Sequence, residues 1–369
     1  MTKLRWGILG AANIARKNWK AIFHSGNNIV TTVAARDMAR GEQFVRECQA
    51  QFAFEPSPKV LGSYEQLLAS PDVEAVYIPL PTTLRKEWVI RAAQAGKHVL
   101  CEKPCGVSAA DLREMIAACQ KHRVQFMDGV MFMHSPRLAA VRAVLDDKNR
   151  IGAIRRIEST FSFAGNAKNF SDNIRVQGVL EPAGCLGDLG WYCIRLTLFA
   201  MSWEMPVSAT GRILAYAADG KTPTQFSGEL IFASGASAGF YCSFVIESQQ
   251  WVSVMGERGT VRIADFVHPQ NSYEPEFEVN QTHHRVHAET GASVPVDPSQ
   301  ANQMGHATAQ DTRMFQHFAA LVRLGKVDES WPEMALKTQL VMDACLASAR
   351  AGSNIFSVEK FRACLQNQF

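Results

Sequence analysis

Leu4-Arg-Trp-Gly-Ile-Leu-Gly-Ala-Ala-Asn-Ile-Ala-Arg16 is the stretch from which the first part of this chain is read. Leu4–Gly10 has the short apolar run of a buried strand, and Ala11–Arg16 turns into a helix. Aligned on the spacing GxGxxG/A, the turn reads Gly10, Ala12, Ala15. A glycine at the first position permits the tight turn. Small residues at the other two let the backbone approach a diphosphate and the helix pack on the strand. With alanine at the second position, an ordinary strand–helix turn could look the same. The following strand narrows the choice. Ile29-Val-Thr-Thr-Val-Ala-Ala35 is β-branched, apolar and at the distance expected for the second strand of a dinucleotide-binding unit. An NAD site usually ends that strand with a carboxylate for the ribose hydroxyl. Here the first polar residue is Arg36, whose guanidinium suits a 2′-phosphate and favours NADP, while Asp37 directly after it keeps NAD open.

Outward from this unit, strand and helix keep alternating. Ser63 and Gln66 have the spacing of a capping box, Ala75–Pro79 reads as a strand, Leu80–Leu84 as a loop and Lys86–Ala95 as a helix. His98-Val-Leu-Cys101 is a second buried strand that ends abruptly in Glu102-Lys-Pro104. Proline fixes φ and has no amide donor, so the chain must leave the strand there. Lys103 is thereby placed at the carboxyl end of a parallel strand, where ligands bind. Such an exit also suits a cis Lys103–Pro104 bond. A helix over Ser108–His122 and a strand over Val124–Met127 complete the alternation, which is that of an α/β, doubly wound parallel sheet over 1–128.

Beyond Pro136 the rhythm changes. Ala153–Phe163 alternates like a strand with one wet face, and Val207–Tyr216, Gln225–Ala233, Ala236–Ile246, Gln250–Met255, Gly259–Phe266 and Glu276–Val279 follow. Turns at Asp219-Gly, Ser234-Gly and Glu257-Arg-Gly make consecutive strands antiparallel. The region 129–369 is thus expected to be an α+β domain with an open, mostly antiparallel sheet. A helix over Cys185–Met201 is inserted after its first strand, and Thr282–Gln303 reads as a polar exposed loop. Amphipathic helices over Thr308–Leu324 and Pro332–Ala351 close the chain and are candidates to pack back on the first domain.

Composition sets outer limits. With 369 residues, two domains are the expectation. Lys and Arg total 38 against 35 Asp and Glu, a net charge of +3, which points away from nucleic acid and membrane surfaces as partners. No run approaches the ~18 apolar residues of a membrane span, and Met1-Thr-Lys-Leu-Arg leads straight into a strand, so no secretory segment is expected. The nine cysteines are scattered without CxxC or zinc-type spacing, which predicts reduced thiols in a cytoplasmic protein and no metal site.

Within the inserted helix the sequence reads Ala183-Gly-Cys-Leu-Gly-Asp-Leu-Gly-Trp-Tyr192, and Asp188 and Tyr192, four apart, share one helix face. Together with Gly7–Ala15, Tyr77-Ile-Pro-Leu-Pro81, Glu102-Lys-Pro104 and Trp331-Pro332, these elements make the chain resemble the Gfo/Idh/MocA oxidoreductases. The tyrosine, where many members carry histidine, is similar to the branch containing dimeric dihydrodiol dehydrogenase, NADP-linked xylose dehydrogenase and glucose–fructose oxidoreductase. The resemblance implies a nicotinamide cofactor held by Gly10, Ala12, Asn13, Ile14, Arg36, Pro79, Leu80, Pro81, Glu102 and Lys103. It implies a sugar, polyol or cyclic diol as substrate. Tyr192 then becomes the proton donor at the developing alkoxide, with Lys103 the cation that eases its ionisation. Asp188 would orient a second substrate hydroxyl, and Arg175, on the loop before the helix, is a further substrate candidate.

Two features depart from the family. The position after the fourth strand that often carries histidine reads Leu84-Arg85-Lys86, and the glycine pair before the helix reads Ala183-Gly184. A non-catalytic dinucleotide-sensing regulator is the alternative from another class, and it would tolerate loss of Lys103 or Tyr192, both present here. Alternating apolar residues on the sheet, Phe240, Cys242, Phe244 and Ile246, are expected to bury against a second subunit in a homodimer or higher oligomer.

Overall fold

The N-terminal alternation folds into six strands, all parallel to their neighbours. The elements are β1 (Leu4–Leu9), α1 (Asn13–His24), β2 (Asn28–Ala34), α2 (Met38–Gln51), β3 (Lys59–Leu61) and α3 (Tyr64–Ala69). They continue with β4 (Ala75–Ile78), α4 (Thr82–Gln94), β5 (His98–Cys101), α5 (Ala109–Lys121) and β6 (Phe126–Asp128). The strand order is β3-β2-β1-β4-β5-β6. Chain direction across the sheet reverses between β1 and β4, so their carboxyl ends flank the crevice where doubly wound sheets bind ligands. One boundary differs from the sequence reading. The segment expected as a loop before Lys86 is already helical from Thr82, with Pro81 as its N-cap at φ −53°. Proline suits a helix start because its missing N–H would have no partner there.

The remaining chain forms α6 (Arg137–Asp146), β7 (Ile154–Ser162), a π-helical turn over Leu186–Gly190 and α7 (Trp191–Ala200). Then come β8 (Ser208–Tyr216), β9 (Pro223–Ile231), β10 (Ser237–Ser243), β11 (Gln249–Gly256), β12 (Thr260–Ile263), β13 (Glu278–Thr282) and β14 (Val286–Thr290). Last are α8 (Gln310–Leu324), α9 (Ser330–Arg350) and β15 (Phe356–Ser357). The nine strands order as β14-β13-β12-β11-β7-β10-β9-β8-β15. The three hairpin turns read from sequence join β8–β9, β9–β10 and β11–β12. The β7–β10 pair is parallel, because the chain leaves β7 through α7 before re-entering the sheet. Of the stretch expected as a loop over 282–303, Thr282 ends β13, residues 286–290 are the strand β14 paired with it, and the rest lies outside the described residues. An edge strand pairs through its backbone and needs little apolar content, which is why composition hid it.

This computed structural model describes residues 2–165, 173–269, 276–282, 286–290 and 306–357. They divide into two units, one of 2–106, 110–135 and 306–335, the other of 107–109, 336–357 and the described part of 136–295. In the first unit Trp6 of β1 is fully buried, with Phe315 and Phe318 of α8 at ring-centroid distances of 5.3 and 5.0 Å. Its indole N–H donates to Asn28 Oδ1 at 2.7 Å, so the ring is buried without stranding its polar edge.

In the second unit α7 packs on β7 and β10. That packing corrects the expected subunit face. Phe240, Cys242 and Phe244 are buried inside the chain, Cys242 Sγ lying 4.0 Å from Cys185 Sγ at the head of the inserted helix. The inserted helix covers Phe240 and Cys242, and Phe244 is buried with its ring 5.2 Å from that of Phe163, so none is available to a partner, and Ile246 lies beyond the end of β10. The opposite pleat mixes polar side chains with Trp251, Met255 and Tyr241, all half-buried. Arg156 of β7 pairs with Glu158 and with Glu229 of β9, and fills the space left by Gly239 on β10 between them.

Candidate active site

In the first unit the carboxyl ends of β1, β4 and β5 lie side by side and each carries a stretch singled out from sequence. At the end of β1, Gly10 has φ +98°, a conformation that side-chain-bearing residues rarely adopt, and its N–H donates to Ala34 O at 2.7 Å. A Cβ there would come within 3.3 Å of Leu80 and 3.4 Å of the Tyr64 hydroxyl, so the turn is closed in from two sides. The helix that follows starts bare. Its N-cap, Ala12, makes no side-chain hydrogen bond, and the first turn holds no acidic residue. Asn13 and Ile14 of that turn are exposed, Ile14 by 40% despite its apolar side chain. Neighbouring helices are capped in the ordinary way, α2 by Asp37 accepting from Arg40 N–H and α3 by Ser63 accepting from Gln66 N–H. Uncapped N–H groups and the positive end of the helix dipole make an anion site, and a dinucleotide diphosphate fits it.

Arg36 is exposed at the end of β2, where its guanidinium hydrogen-bonds the Tyr64 hydroxyl, with Arg40 bearing on the same hydroxyl. Burial raises the Tyr64 pKa and the two arginines counter it, so the phenol stays protonated. Asp37 is engaged as the cap of α2, with Oδ1 3.2 Å from Arg40 N. This gives it a structural task distinct from holding a ribose. Tyr64 and Arg40 were not singled out in the sequence. Both lie far from the glycine turn in the chain, and the pairing of β2 with β1 and with β3 brings them to it.

At the end of β4, Pro79 and Leu80 are buried and Pro81 is half-buried. At the end of β5, Glu102 is 8% exposed and accepts a 2.5 Å hydrogen bond from the Tyr77 hydroxyl, which in turn accepts from Asn18 Nδ2 at 2.6 Å. Tyr77 is fully buried, and burial first, then the Glu102 charge, pushes its pKa well above the ordinary phenol value, so it remains a donor. A hydrogen bond to a charged group contributes about 1.5–3 kcal/mol. Lys103 is half-buried, and its bond to Pro104 is cis, as the abrupt strand exit suggested. Arg85, from the first turns of α4, donates from Nε to Leu80 O at 2.7 Å and from Nη1 to Pro104 O.

In the second unit the inserted helix begins at Gly184, whose φ is +49° and whose missing Cβ would sit 2.2 Å from Pro223 O. The sequence predicted a plain α-helix here. Instead Leu186–Gly190 is π-helical before α7 proper, a local widening that often marks functional sites. Asp188 lies in that turn, and Tyr192 follows on the first turn of α7. Tyr192 is 6% exposed, with Phe161 of β7 edge-on to its ring at 5.4 Å. Arg175 donates from Nε to Asp188 Oδ2 at 2.8 Å, and the Asp188 charge, then Glu181 and Tyr192, hold its pKa above the ordinary value. The structure therefore brings Arg175, Asp188 and Tyr192 together, whereas Lys103 belongs to the other unit. Among the described residues no cluster of His, Cys, Asp or Glu is placed to hold a metal ion.

Three family models match the chain: an oxidoreductase family NAD-binding Rossmann fold over residues 4–130, a GFO/IDH/MocA C-terminal domain over 138–262, and an oxidoreductase family C-terminal alpha/beta domain over 212–358. Trans-1,2-dihydrobenzene-1,2-diol dehydrogenase of Bos taurus is 32% identical over 266 residues, covering 71% of this chain and 74% of that enzyme. The NADP(+) D-xylose 1-dehydrogenase 2 of Haloferax volcanii is 28% identical over 352 residues, covering 95% and 99%. Among solved structures, a 3-ketoreductase from Actinomadura kijaniata in complex with NADP and TDP-benzene superposes with a TM-score of 0.80 at 25% identity, covering 94% of this chain and 98% of that one. These likenesses run through both units, and the chain belongs to the Gfo/Idh/MocA oxidoreductase family.

Proposed function

We propose that this protein is a dehydrogenase or reductase that uses NADP(H) in preference to NAD(H) to interconvert CH–OH and carbonyl groups on a sugar, polyol or cyclic diol. The observation that carries it is the row of strand ends in the first unit. Gly10, Leu80 and Lys103 stand on adjacent carboxyl ends, beside a helix whose first turn is open to an anion. The relatives act on a dihydrobenzene diol and on D-xylose by their names, which sets the substrate class. The nucleotide, when bound, supplies or accepts the hydride. Domain 1–128 holds it, with Gly10, Ala12, Asn13 and Ile14 at the diphosphate, Arg36 at the 2′-phosphate and Pro79–Pro81 and Glu102 at the nicotinamide half. Domain 129–369 takes the substrate.

Tyr192 then gives its proton to the substrate oxygen as charge develops on it during reduction, and takes it back during oxidation. A phenol has an unperturbed pKa of ~10, so a cation is needed to make that exchange easy, and Lys103 is that cation. Asp188, held by Arg175, accepts a hydrogen bond from a second substrate hydroxyl and so orients the reacting carbon. The protein acts in the cytoplasm as a homo-oligomer joined through the open face of the nine-stranded sheet.

Incubation with a panel of aldoses, polyols and cyclic diols, following reduced-nicotinamide absorbance with each nucleotide, tests the activity. Turnover with at least one of these classes, faster at low NADP(H) than at equal NAD(H), is expected. Nucleotide binding with no turnover across all classes would favour the regulator instead.

A further inference from the structure

We infer that Arg85 is a positioning residue for Lys103, acting as a buried cross-link between the two loops that end β4 and β5. The inference rests on the reading of Lys103 as the catalytic cation. Its basis is where the backbone around Lys103 is tied down. On the near side, Glu102 N–H donates to Ile78 O at 3.2 Å, and the Glu102 carboxylate is held by Tyr77. On the far side, Pro104 has no N–H to donate and so makes no ladder bond of its own. The Pro104 carbonyl accepts from Arg85 Nη1 instead. The same guanidinium donates from Nε to Leu80 O at 2.7 Å. Lys103 is thus bracketed, with Tyr77 behind it and Arg85 ahead of it.

The choice of arginine follows from chemistry. Arg85 is only 6% exposed, and a buried cation is tolerated only when its donors are satisfied. Its planar fork presents several N–H donors at fixed angles, so one side chain can hold two carbonyls from different strands in a set relation. Neither carbonyl lies on α4 itself, so the helix acts as the rigid post to which both loops are tethered. The charge also bears on the buried pair behind Lys103, since it lowers the Tyr77 pKa against the larger effects of burial and of Glu102. Arg85 therefore need not touch nucleotide or substrate. Its effect on turnover passes through the placement of the Lys103 ammonium, and a misplacement of about 1 Å at a catalytic group can cost ~10²-fold.

A double-mutant cycle in the full-length enzyme tests this, with kcat, KM and NADP(H) affinity by fluorescence titration measured for Arg85→Gln, Lys103→Ala and the pair. Arg85→Gln should lower kcat by about 10–100-fold while NADP(H) affinity stays within about threefold. In the Lys103→Ala background the same change should cost less than about threefold, because the group being positioned is gone. Arg85→Lys, which keeps a charge and several donors, should fold and recover part of the loss. Equal losses in both backgrounds, a kcat unchanged in Arg85→Gln, or failure of both Arg85→Gln and Arg85→Lys to fold would overturn the inference and leave Arg85 without a positioning role. Lys103→Ala with normal turnover would instead remove Lys103 from the mechanism, whatever Arg85 does.

Discussion

The candidate residues of the two units are set up by opposite means. In the first unit the backbone does the work: a glycine at positive φ, a helix start left uncapped, and a turn after β5 closed by a cis proline. Side chains there, Tyr77 and Arg85, hold main-chain atoms or Glu102 in place. In the second unit the side chains themselves are the site. Asp188 and Tyr192 project from a helix that opens with a π turn, and Arg175 reaches across to one of them. A backbone-built half should fail on altered φ or lost amides. A half built from side chains should fail sharply when single atoms are removed.

The largest effect should come from one oxygen in the second half. Tyr192→Phe removes the proposed acid and should cut turnover by ~10²–10⁴ with NADP(H) affinity almost unchanged. Lys103→Ala should lose a similar factor. If, as proposed, the two residues act on one proton, the double mutant should lose far less than the product. Strictly multiplicative losses in steady-state kinetics would separate them, and a Tyr192→Phe enzyme with normal turnover would remove the tyrosine from the chemistry.

Gly184→Ala probes where the second half does depend on backbone. A left-handed conformation combined with a Cβ 2.2 Å from Pro223 O should cost about 3 kcal/mol in stability, counting strain and overpacking together. Urea denaturation should show it as a lowered midpoint. A shift under about 0.5 kcal/mol, the range of ordinary surface substitutions, would mean the helix start can relax around the added methyl.

Cofactor choice is the third contrast, on the rim of the backbone-built half. Arg36→Ala removes the charge-assisted hydrogen bonds proposed to the 2′-phosphate, each worth about 1.5–3 kcal/mol. NADP(H) affinity should fall by about 10–100-fold and NAD(H) affinity by less than about threefold. Equal losses in a fluorescence titration would show that Arg36 does not read the phosphate.

Legibility in the sequence followed the same division. The turn at Gly10 and the strand exit at Glu102-Lys103-Pro104 could be read because both are set by local chain geometry, which short motifs record. The hairpins of the second sheet were readable from their glycine turns for the same reason. What the sequence hid was long-range. The Arg175–Asp188 pair, the Tyr77–Glu102 bond and the cover that α7 gives Phe240 and Cys242 each join residues from different elements. Apolar alternation showed that one face of β10 is buried, but alternation carries no information about what buries it. The π turn was hidden too, since its five residues fit an α-helical pattern equally well.

Asp37 gives the smallest expected effect and the finest discrimination. It follows Arg36 at the end of β2, close to where an NAD site keeps its ribose carboxylate, so the sequence offered it a ribose. In the fold its Oδ1 accepts from Arg40 N–H and caps α2. A carboxylate spent on a helix start has fewer lone pairs to offer a ribose, and the same cap fixes the turn that carries Arg36 and Arg40. Asp37→Ala should therefore cost about 1 kcal/mol of stability, the usual loss for a removed N-cap. Asp37→Asn should cost almost nothing, because asparagine caps as well as aspartate. NAD(H) affinity should be the same in wild type and Asp37→Asn. If Asp37 were instead the ribose ligand, Asp37→Asn would keep its stability and weaken NAD(H) binding by about tenfold or more, since a charged acceptor for a ribose hydroxyl would be lost. Thermal melting and nucleotide titration of these two variants separate a cap from a ligand at a single residue.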